Sequence, residues 1–293
     1  MAGTRFRSRD VVRWLLLLGG AGTLCAAEIV GTDLLAGGVS AAMARALGRE
    51  WADFAGSLPG RQAFTEGRAG GVVLLLREGE LPPVRAAEGP AESFRVGAAV
   101  VVVATHPANP ILQLTRENLA NAFAKDARAP ARNWNDLDAQ ARSELITPAV
   151  CSPPGTLSLE IFQGLVLDGQ PFRLDVRQRI EPDLAADLLA SRAGTVVLLA
   201  RPPEGRGRLI PIADGRAGKS ATAYLPEAEN VHNGDYPLQL PLVLFVAPKQ
   251  VAALRPALRW LFSDEAAALL EKQGLYPAPP AARQRALQRL DSR

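Results

Sequence analysis

The sequence predicts an α/β protein in which strands alternate with helices and helices cover both faces of each sheet. Continuous apolar runs, of which residues 94–104 are the strongest example, are typical of strands buried on both faces. Between these runs lie stretches with helical spacing of apolar residues, such as residues 35–47. Polar turns stand directly before several of the helices. Because ligands of open α/β sheets lie off the carboxyl ends of strands, these turns are the expected binding region.

The composition is that of a soluble globular protein with 293 residues, which is enough for one large or two medium domains. The formal net charge is +3 and the sequence pI is about 9.1. That excess sits in residues 1–27, and the rest of the chain has equal numbers of basic and acidic residues. A neutral chain with few aromatic residues lacks the basic surface that nucleic-acid binding needs, so we expect no nucleic-acid partner.

Residues 1–27 have the pattern of a secretory signal peptide. An arginine-rich start is followed by an apolar core over residues 14–24 and by small residues at Cys25, Ala26 and Ala27. We predict cleavage after Ala27 and a periplasmic or secreted mature protein; a lipid anchor at Cys25 stays open. The apolar core is too short for a stable membrane span. After cleavage Cys151 is the one remaining cysteine, so we expect no internal disulfide.

The mature chain alternates between the two kinds of pattern along most of its length. We predict strands at residues 29–30, 72–76, 94–104, 145–150, 195–200, 209–212 and 238–247. We predict helices at residues 33–47, 62–67, 114–124, 157–165, 183–190, 251–262 and 264–273. Thr115 and Ser263 are the expected N-caps of two of these helices, and residues 201–208 and 213–237 are expected to be irregular.

Three polar turns before helices are the candidate ligand-binding region. A strand that runs into a helix leaves free N–H groups and the positive end of a dipole in the turn, which favours an anion. The short side chains of the first turn can also cap the helix that follows. The candidate ligand-binding residues are Thr32 and Asp33 in the first turn, Ser57 in the second, and Ser152, Gly155 and Thr156 in the third.

The order of these motifs resembles the phosphate-type periplasmic solute-binding proteins of ABC importers, which have the type II periplasmic-binding-protein fold. The resemblance runs in the same order over nearly all of the mature chain. The matching segments are the turns at 31–33 and 56–60, the crossover stretch 100–134, the turn at 152–156, the segment 233–246, and the closing helix and tail at 261–277.

The resemblance implies a two-lobed α/β protein in which each lobe is a mixed, mostly parallel sheet flanked by helices. Residues 28–103 plus 213–293 would form lobe one, and residues 104–212 would form lobe two. It further implies that a cleft captures phosphate or a similar small oxyanion and closes around it. The expected partner is an inner-membrane ABC permease, and the expected protein is a monomer with no cofactor that performs no chemistry.

The chain departs from the family at the ligand contacts. The family has an arginine four residues before the serine of its third turn, where this chain has Val150. Pro154 replaces that serine, although Ser152 is close enough to substitute for it. Gly70 stands where the family has its cleft aspartate. An arginine would bind an oxyanion in a bidentate manner, and an aspartate would accept a hydrogen bond from a protonated phosphate oxygen. Arg61 or Arg68 could supply the missing positive charge.

An alternative hypothesis follows from these losses. In it the scaffold has lost its solute and serves as a partner-binding or sensory module of an envelope complex. An enzyme is not expected, because His106, His232 and Cys151 form neither a metal-ligand spacing nor a nucleophile–base pair. Cys151 and Trp134 are interpreted as packing residues, and the Arg/Gly loop at 201–208 as a solvated segment.

Overall fold

The computed structural model describes residues 28–85, 88–152, 157–205 and 207–292. The predicted signal peptide with its cleavage point after Ala27, and the candidate residues Gly155 and Thr156, lie outside these ranges. Within the described ranges, no helix combines the length and the apolar character needed to cross a bilayer.

Strands and helices alternate along the described chain. The strands are β1 (Ile29–Gly31), β2 (Ala52–Asp53), β3 (Gly71–Leu75), β4 (Val84–Arg85), β5 (Gly89–Pro90), β6 (Glu92–Val100), β7 (Val102–Thr105), β8 (Leu114–Thr115), β9 (Thr147–Cys151), β10 (Arg177–Ile180), β11 (Thr195–Leu199), β12 (Arg208–Leu209), β13 (Ile212–Ala213), β14 (Gln239–Val246) and β15 (Tyr276–Pro277). The α-helices are α1 (Gly38–Leu47), α2 (Ser57–Thr65), α3 (Arg116–Phe123), α4 (Ser158–Leu165), α5 (Pro182–Ser191), α6 (Ala228–Asn233), α7 (Val251–Leu261), α8 (Asp264–Lys272) and α9 (Pro280–Asp291).

Two sheets organise the molecule. The first has six strands in the order β15-β6-β14-β3-β1-β2, and the second has five in the order β10-β9-β11-β7-β12. Both are mixed: β1 is parallel to β2 and β3, whereas β14 is antiparallel to β3 and β6. In the second sheet β9 is parallel to β10 and β11, and β7 is antiparallel to β11. The predicted α/β class is confirmed. Antiparallel pairing is more frequent than expected, because β14 enters the first sheet from late in the chain.

Both faces of each sheet are covered by helices, as predicted. In β3, Val72 and Leu74 pack with Phe64 of α2 on one face, whereas Val73 belongs to the larger core on the other face. The alternation follows from the two-residue period of a strand. In β11, Val197 packs toward α5 in the same way, while its neighbours point into the larger core.

The strand predicted over residues 94–104 is two strands in two different sheets. β6 ends at Val100 in the first sheet, and β7 begins at Val102 in the second. Between them the N–H of Val101 donates to the carbonyl of Leu238 at 2.9 Å, and the hydroxyl of Tyr236 donates to the carbonyl of Val101 at 2.7 Å. The apolar pattern could not reveal this break, because both strands are buried on both faces.

A second crossover lies where one short strand was predicted over residues 209–212. β12 pairs with β7 in the five-stranded sheet, whereas β13 pairs with β8 in a separate ladder. The chain then returns toward the six-stranded sheet through α6, which lies inside the segment 213–237 that was expected to be irregular. The two crossovers therefore connect the sheets on the way out and on the way back.

The predicted N-caps of α3 and α8 are confirmed. The Thr115 hydroxyl accepts from the N–H of Asn118 at 3.0 Å. The side-chain oxygen of Asn118 accepts in turn from the N–H of Thr115, which completes a capping box. The Ser263 hydroxyl accepts from the N–H of Ala266 at 3.2 Å.

We predict that Tyr236→Phe destabilises the protein by about 1–3 kcal/mol, because the buried carbonyl of Val101 loses a partner. Urea unfolding of the variant and the parent protein measures the difference. Tyr276→Phe is the matched control: the Tyr276 hydroxyl is buried without a hydrogen-bond partner among the described residues, and burial raises its pKa to about 12. The control should keep the parent stability or gain slightly. Equal urea midpoints for Tyr236→Phe and Tyr276→Phe would contradict a stabilising contribution of the hydrogen bond from Tyr236 to Val101.

Candidate functional site

The first and second predicted turns lie side by side at the carboxyl end of β1. The N–H of Gly56 donates to the carbonyl of Gly31 at 2.8 Å, and the N–H of Thr32 donates to the carbonyl of Val73 at 3.0 Å. The end of β1, the middle of β3 and the start of α2 therefore meet at one corner. Ser57 is the first residue of α2 and is exposed at this corner.

Two glycines allow the corner to be this tight. Gly31 has a φ of +148°, and a Cβ built on it would lie 2.1 Å from the carbonyl oxygen of Val73. A Cβ on Gly60 would lie 2.7 Å from the Cα of Gly31. A larger side chain at Gly31 would force β1 away from Val73 of β3, and one at Gly60 would force α2 away from the end of β1.

Thr32 has a different local role from the one predicted. Its side-chain oxygen accepts from the N–H of Leu34 at 3.5 Å and begins a single 3-10 turn over Asp33–Leu35, rather than the whole predicted helix 33–47. The α-helix starts only at Gly38, after Gly37 with a φ of +75°. The glycine pair interrupts the helical backbone, so the turn and α1 are separate elements. Thr32 itself is 2% exposed, whereas Asp33 is exposed at the mouth of a cleft.

A cleft with a volume of about 1170 Å³ lies beside these turns. One wall comes from the end of β1 and the end of α8, and the other from the ends of β9 and β11 and the start of α5. The lining residues are Asp33, Leu34 and residues 272–274 on the first wall, and Cys151, Leu157, Pro182, Asp183, Ala186, Asp187 and residues 199–204 on the second. The cleft therefore separates the edges of the two sheets.

Asp33 is the one candidate residue among the described residues that lines the cleft. Ser152 is half-buried and directly follows Cys151, which lines the cleft. Thr32 and Ser57 belong to the corner next to Asp33, but neither is among the residues that line the cleft. The segment 153–156, which contains Gly155 and Thr156, lies outside the described residues, although Leu157 immediately after it lines the cleft.

Of the three positions that differ from the resembling family, Pro154 lies outside the described residues, Val150 is buried and Gly70 is half-buried. Val150 in β9 is fully buried and pairs in register with Leu198 of β11. The N–H of Gly70 donates to the carbonyl of Glu28 at 2.9 Å. A Cβ on Gly70 would lie 3.2 Å from a methyl group of Leu254. Neither Val150 nor Gly70 presents a polar group to the cleft in this chain.

The two arginines considered as substitutes are engaged elsewhere. Arg61 pairs with Glu80 and donates to the carbonyl of Leu81 at 3.1 Å. Arg68 donates to the carboxylate of Glu66 at 2.8 Å, two residues away on the surface. Neither of them is among the residues that line the cleft.

Two basic residues that the sequence did not single out do line the cleft. Arg201 begins the loop after β11, and Lys272 is the last residue of α8. Both are exposed. The signal that could have found Arg201 is its place directly after a buried strand, at the carboxyl edge where ligands of such sheets lie. The loop 201–208 was instead interpreted as solvated.

The nucleophile candidates behave as packing or loop residues. Cys151 is buried, and burial raises the pKa of its thiol to about 11, which keeps it protonated at neutral pH. The ring Nδ1 of His106 accepts from the N–H of Ala108 at 3.0 Å in a local turn. Trp134 is 1% exposed, as predicted for a residue that fills a loop. Across the described ranges, no group of three or more His, Cys, Asp or Glu side chains is placed to hold a metal ion.

Comparison with known proteins identifies the fold. No family model matches the sequence. Protein SphX of Synechococcus elongatus is 24% identical over 199 residues, which is 66% of this chain and 57% of that protein, so the match spans less than two thirds of the relative.

Solved structures match over most of the chain. A possible phosphate binding protein from Planctomyces limnophilus has a TM-score of 0.67 at 18% identity and covers 90% of this chain and 96% of its own. PstS from Borrelia burgdorferi has a TM-score of 0.63 at 13% identity and covers 85% and 97%. An ABC-type phosphate transport receptor from Vibrio cholerae has a TM-score of 0.54 at 15% identity and covers 84% and 98%. The chain therefore has the two-lobed α/β fold of these proteins, as its motif order predicted.

Proposed function

We propose that the protein is an extracytoplasmic solute-binding protein that captures phosphate or a similar small oxyanion, without chemistry, for an ABC-type importer. The observation that carries the proposal is the cleft between the two sheets, where Asp33 stands on one wall and the end of β9, next to Ser152, stands on the other. The names of the structurally similar proteins, which refer to phosphate binding and transport, support the choice of ligand. The signal peptide, the permease partner and the monomeric state belong to the same proposal.

The chemistry of the corner suits a small anion. Backbone N–H groups at the start of α2 have no partner within the helix, and the positive end of its dipole points toward the turn. Further neutral hydrogen-bond donors would come from the candidate residues. These donors are the hydroxyl groups of Thr32, Ser57, Ser152 and Thr156 and the N–H of Gly155. Asp33 would accept a hydrogen bond from a protonated oxyanion, which favours hydrogen phosphate over the fully ionised sulfate.

We propose two lobes with residues 28–103 plus 213–293 in one and residues 104–212 in the other. The sheet membership of the strands supports this division except at residues 102 and 103, which belong to β7 of the five-stranded sheet. The six-stranded sheet draws on residues 29–100 and 239–277 and the five-stranded sheet on residues 102–209. The two short crossovers between the sheets are the expected hinge, since small backbone rotations there would move one wall of the cleft toward the other.

Isothermal titration of the mature protein tests the proposal. We expect a saturable heat with inorganic phosphate and a weaker one with sulfate, because sulfate has no proton to donate to Asp33. No heat with any small oxyanion would contradict the proposal. That result, together with co-purification of a membrane protein, would favour the alternative of a partner-binding scaffold.

We predict that Ser57→Ala weakens phosphate binding by about tenfold or more, since a hydrogen bond to a charged group contributes about 1.5–3 kcal/mol. Thr32→Ala and Thr156→Ala should weaken it in the same direction. Thr65→Ala is the matched control, because Thr65 is an exposed hydroxyl at the other end of the same helix. Equal affinities of Ser57→Ala and Thr65→Ala for phosphate would remove Ser57 from the site.

A further inference from the structure

Carboxylates outnumber cations among the described residues that line the cleft. Four carboxylate residues stand there against two basic ones. The acidic residues are Asp33, Asp183, Asp187 and Glu204. Neutral donors alone do not offset this field, because like charges in a partly enclosed site repel the ligand. The position at which the resembling family carries its arginine is filled here by the buried Val150.

We propose that Arg201 and Lys272 supply the positive charge that holds the oxyanion, one from each wall of the cleft. This inference rests on the proposed function and names the residues that determine it. Arg201 stands at the end of β11 on the wall of the five-stranded sheet, and Lys272 stands at the end of α8 on the opposite wall. A ligand held by both residues spans the cleft.

Both side chains are available to a ligand. They are exposed, and among the described residues neither makes a hydrogen bond or an ion pair. Two other arginines illustrate the contrast, because each is already paired: Arg216 donates to Asp214 at 2.5 Å, and Arg85 pairs with Glu88 at 3.0 Å. Arg201 and Lys272 can therefore bind an anion without first breaking an ion pair within the protein.

The strand register places Arg201 at the correct edge. β9 and β11 are parallel neighbours, and Val150 lies opposite Leu198. Three residues beyond Leu198, Arg201 therefore emerges at the same edge of the sheet as Cys151. Burial raises the pKa of the Cys151 thiol, and the charge of Arg201 acts in the opposite direction, which is consistent with this proximity.

The two residues contribute differently because of their geometry. The guanidinium of Arg201 is a planar fork that can bind two oxygens of phosphate at once. The ammonium of Lys272 is a compact charge on a flexible stem and has no such preference. Loss of Arg201 should therefore cost more affinity than loss of Lys272.

Titration with inorganic phosphate tests the inference. We expect Arg201→Gln to weaken binding at least tenfold and Lys272→Gln several-fold. Arg201→Lys should retain more affinity than Arg201→Gln, because it keeps the charge. The matched controls are Arg192→Gln and Lys249→Gln, which remove exposed cations outside the cleft lining and should bind like the parent. Thermal unfolding should give the same midpoint for all these variants, since the substituted side chains are on the surface.

The outcomes separate this inference from the proposed function. If the parent protein binds phosphate and Arg201→Gln and Lys272→Gln bind it equally well, the inference is wrong and the proposed function stands. If the parent protein binds no oxyanion, both fail. A loss of affinity in Arg192→Gln as large as that in Arg201→Gln would also overturn the inference, because it would indicate a general charge effect. Weaker binding confined to the two cleft variants supports it.

Discussion

The passage of the chain between its two sheets at Val101 is the constraint on which the rest of the structure depends. The hydroxyl of Tyr236 and the carbonyl of Leu238 both bond to the backbone of Val101, so β6 and β7 leave this point in fixed directions. Val101 is fully buried, and its polar backbone groups would be costly to leave unpaired there. The second crossover, between β12 and β13, returns the chain. The cleft is the gap that these two connections leave between the sheet edges.

The corner at Gly31 lies beside one wall of the cleft. Because a Cβ at Gly31 or at Gly60 would collide with backbone atoms, the start of α2 packs directly on the turn after β1. Donor groups from two separate segments are thereby held next to the exposed carboxylate of Asp33. In our proposal the positive charge for an oxyanion comes from Arg201 in the loop after β11 and from Lys272 at the end of α8, because the buried Val150 of β9 cannot supply it.

Much of the fold could be predicted from the sequence, because alternating patterns and caps are local. Thr115 and Ser263 cap the helices that their positions indicated. Residues 94–104 were misassigned because two buried strands in different sheets have the same continuous apolar pattern. The start of α1 differs from the prediction because Gly37, with a φ of +75°, interrupts the helical backbone, which the spacing of apolar residues does not reveal. α6 was missed because it is short and polar.

The candidate site was harder to predict, because a cleft is made by elements far apart in the chain. The sequence indicated Asp33 and the neighbourhood of Ser152, which follow strands directly. It did not indicate Arg201 or Lys272, since an exposed cation in a loop or at a helix end looks the same in sequence whether or not it faces a cleft. Which of these residues contact a ligand remains a prediction.

Small-angle X-ray scattering of the mature protein, with and without saturating phosphate, tests the central claim most directly. The account predicts a smaller radius of gyration with phosphate, because a ligand held by both walls draws the two lobes together about the crossovers. An identical scattering curve at a phosphate concentration that saturates binding would contradict it, since the ligand would then not be gripped between the walls.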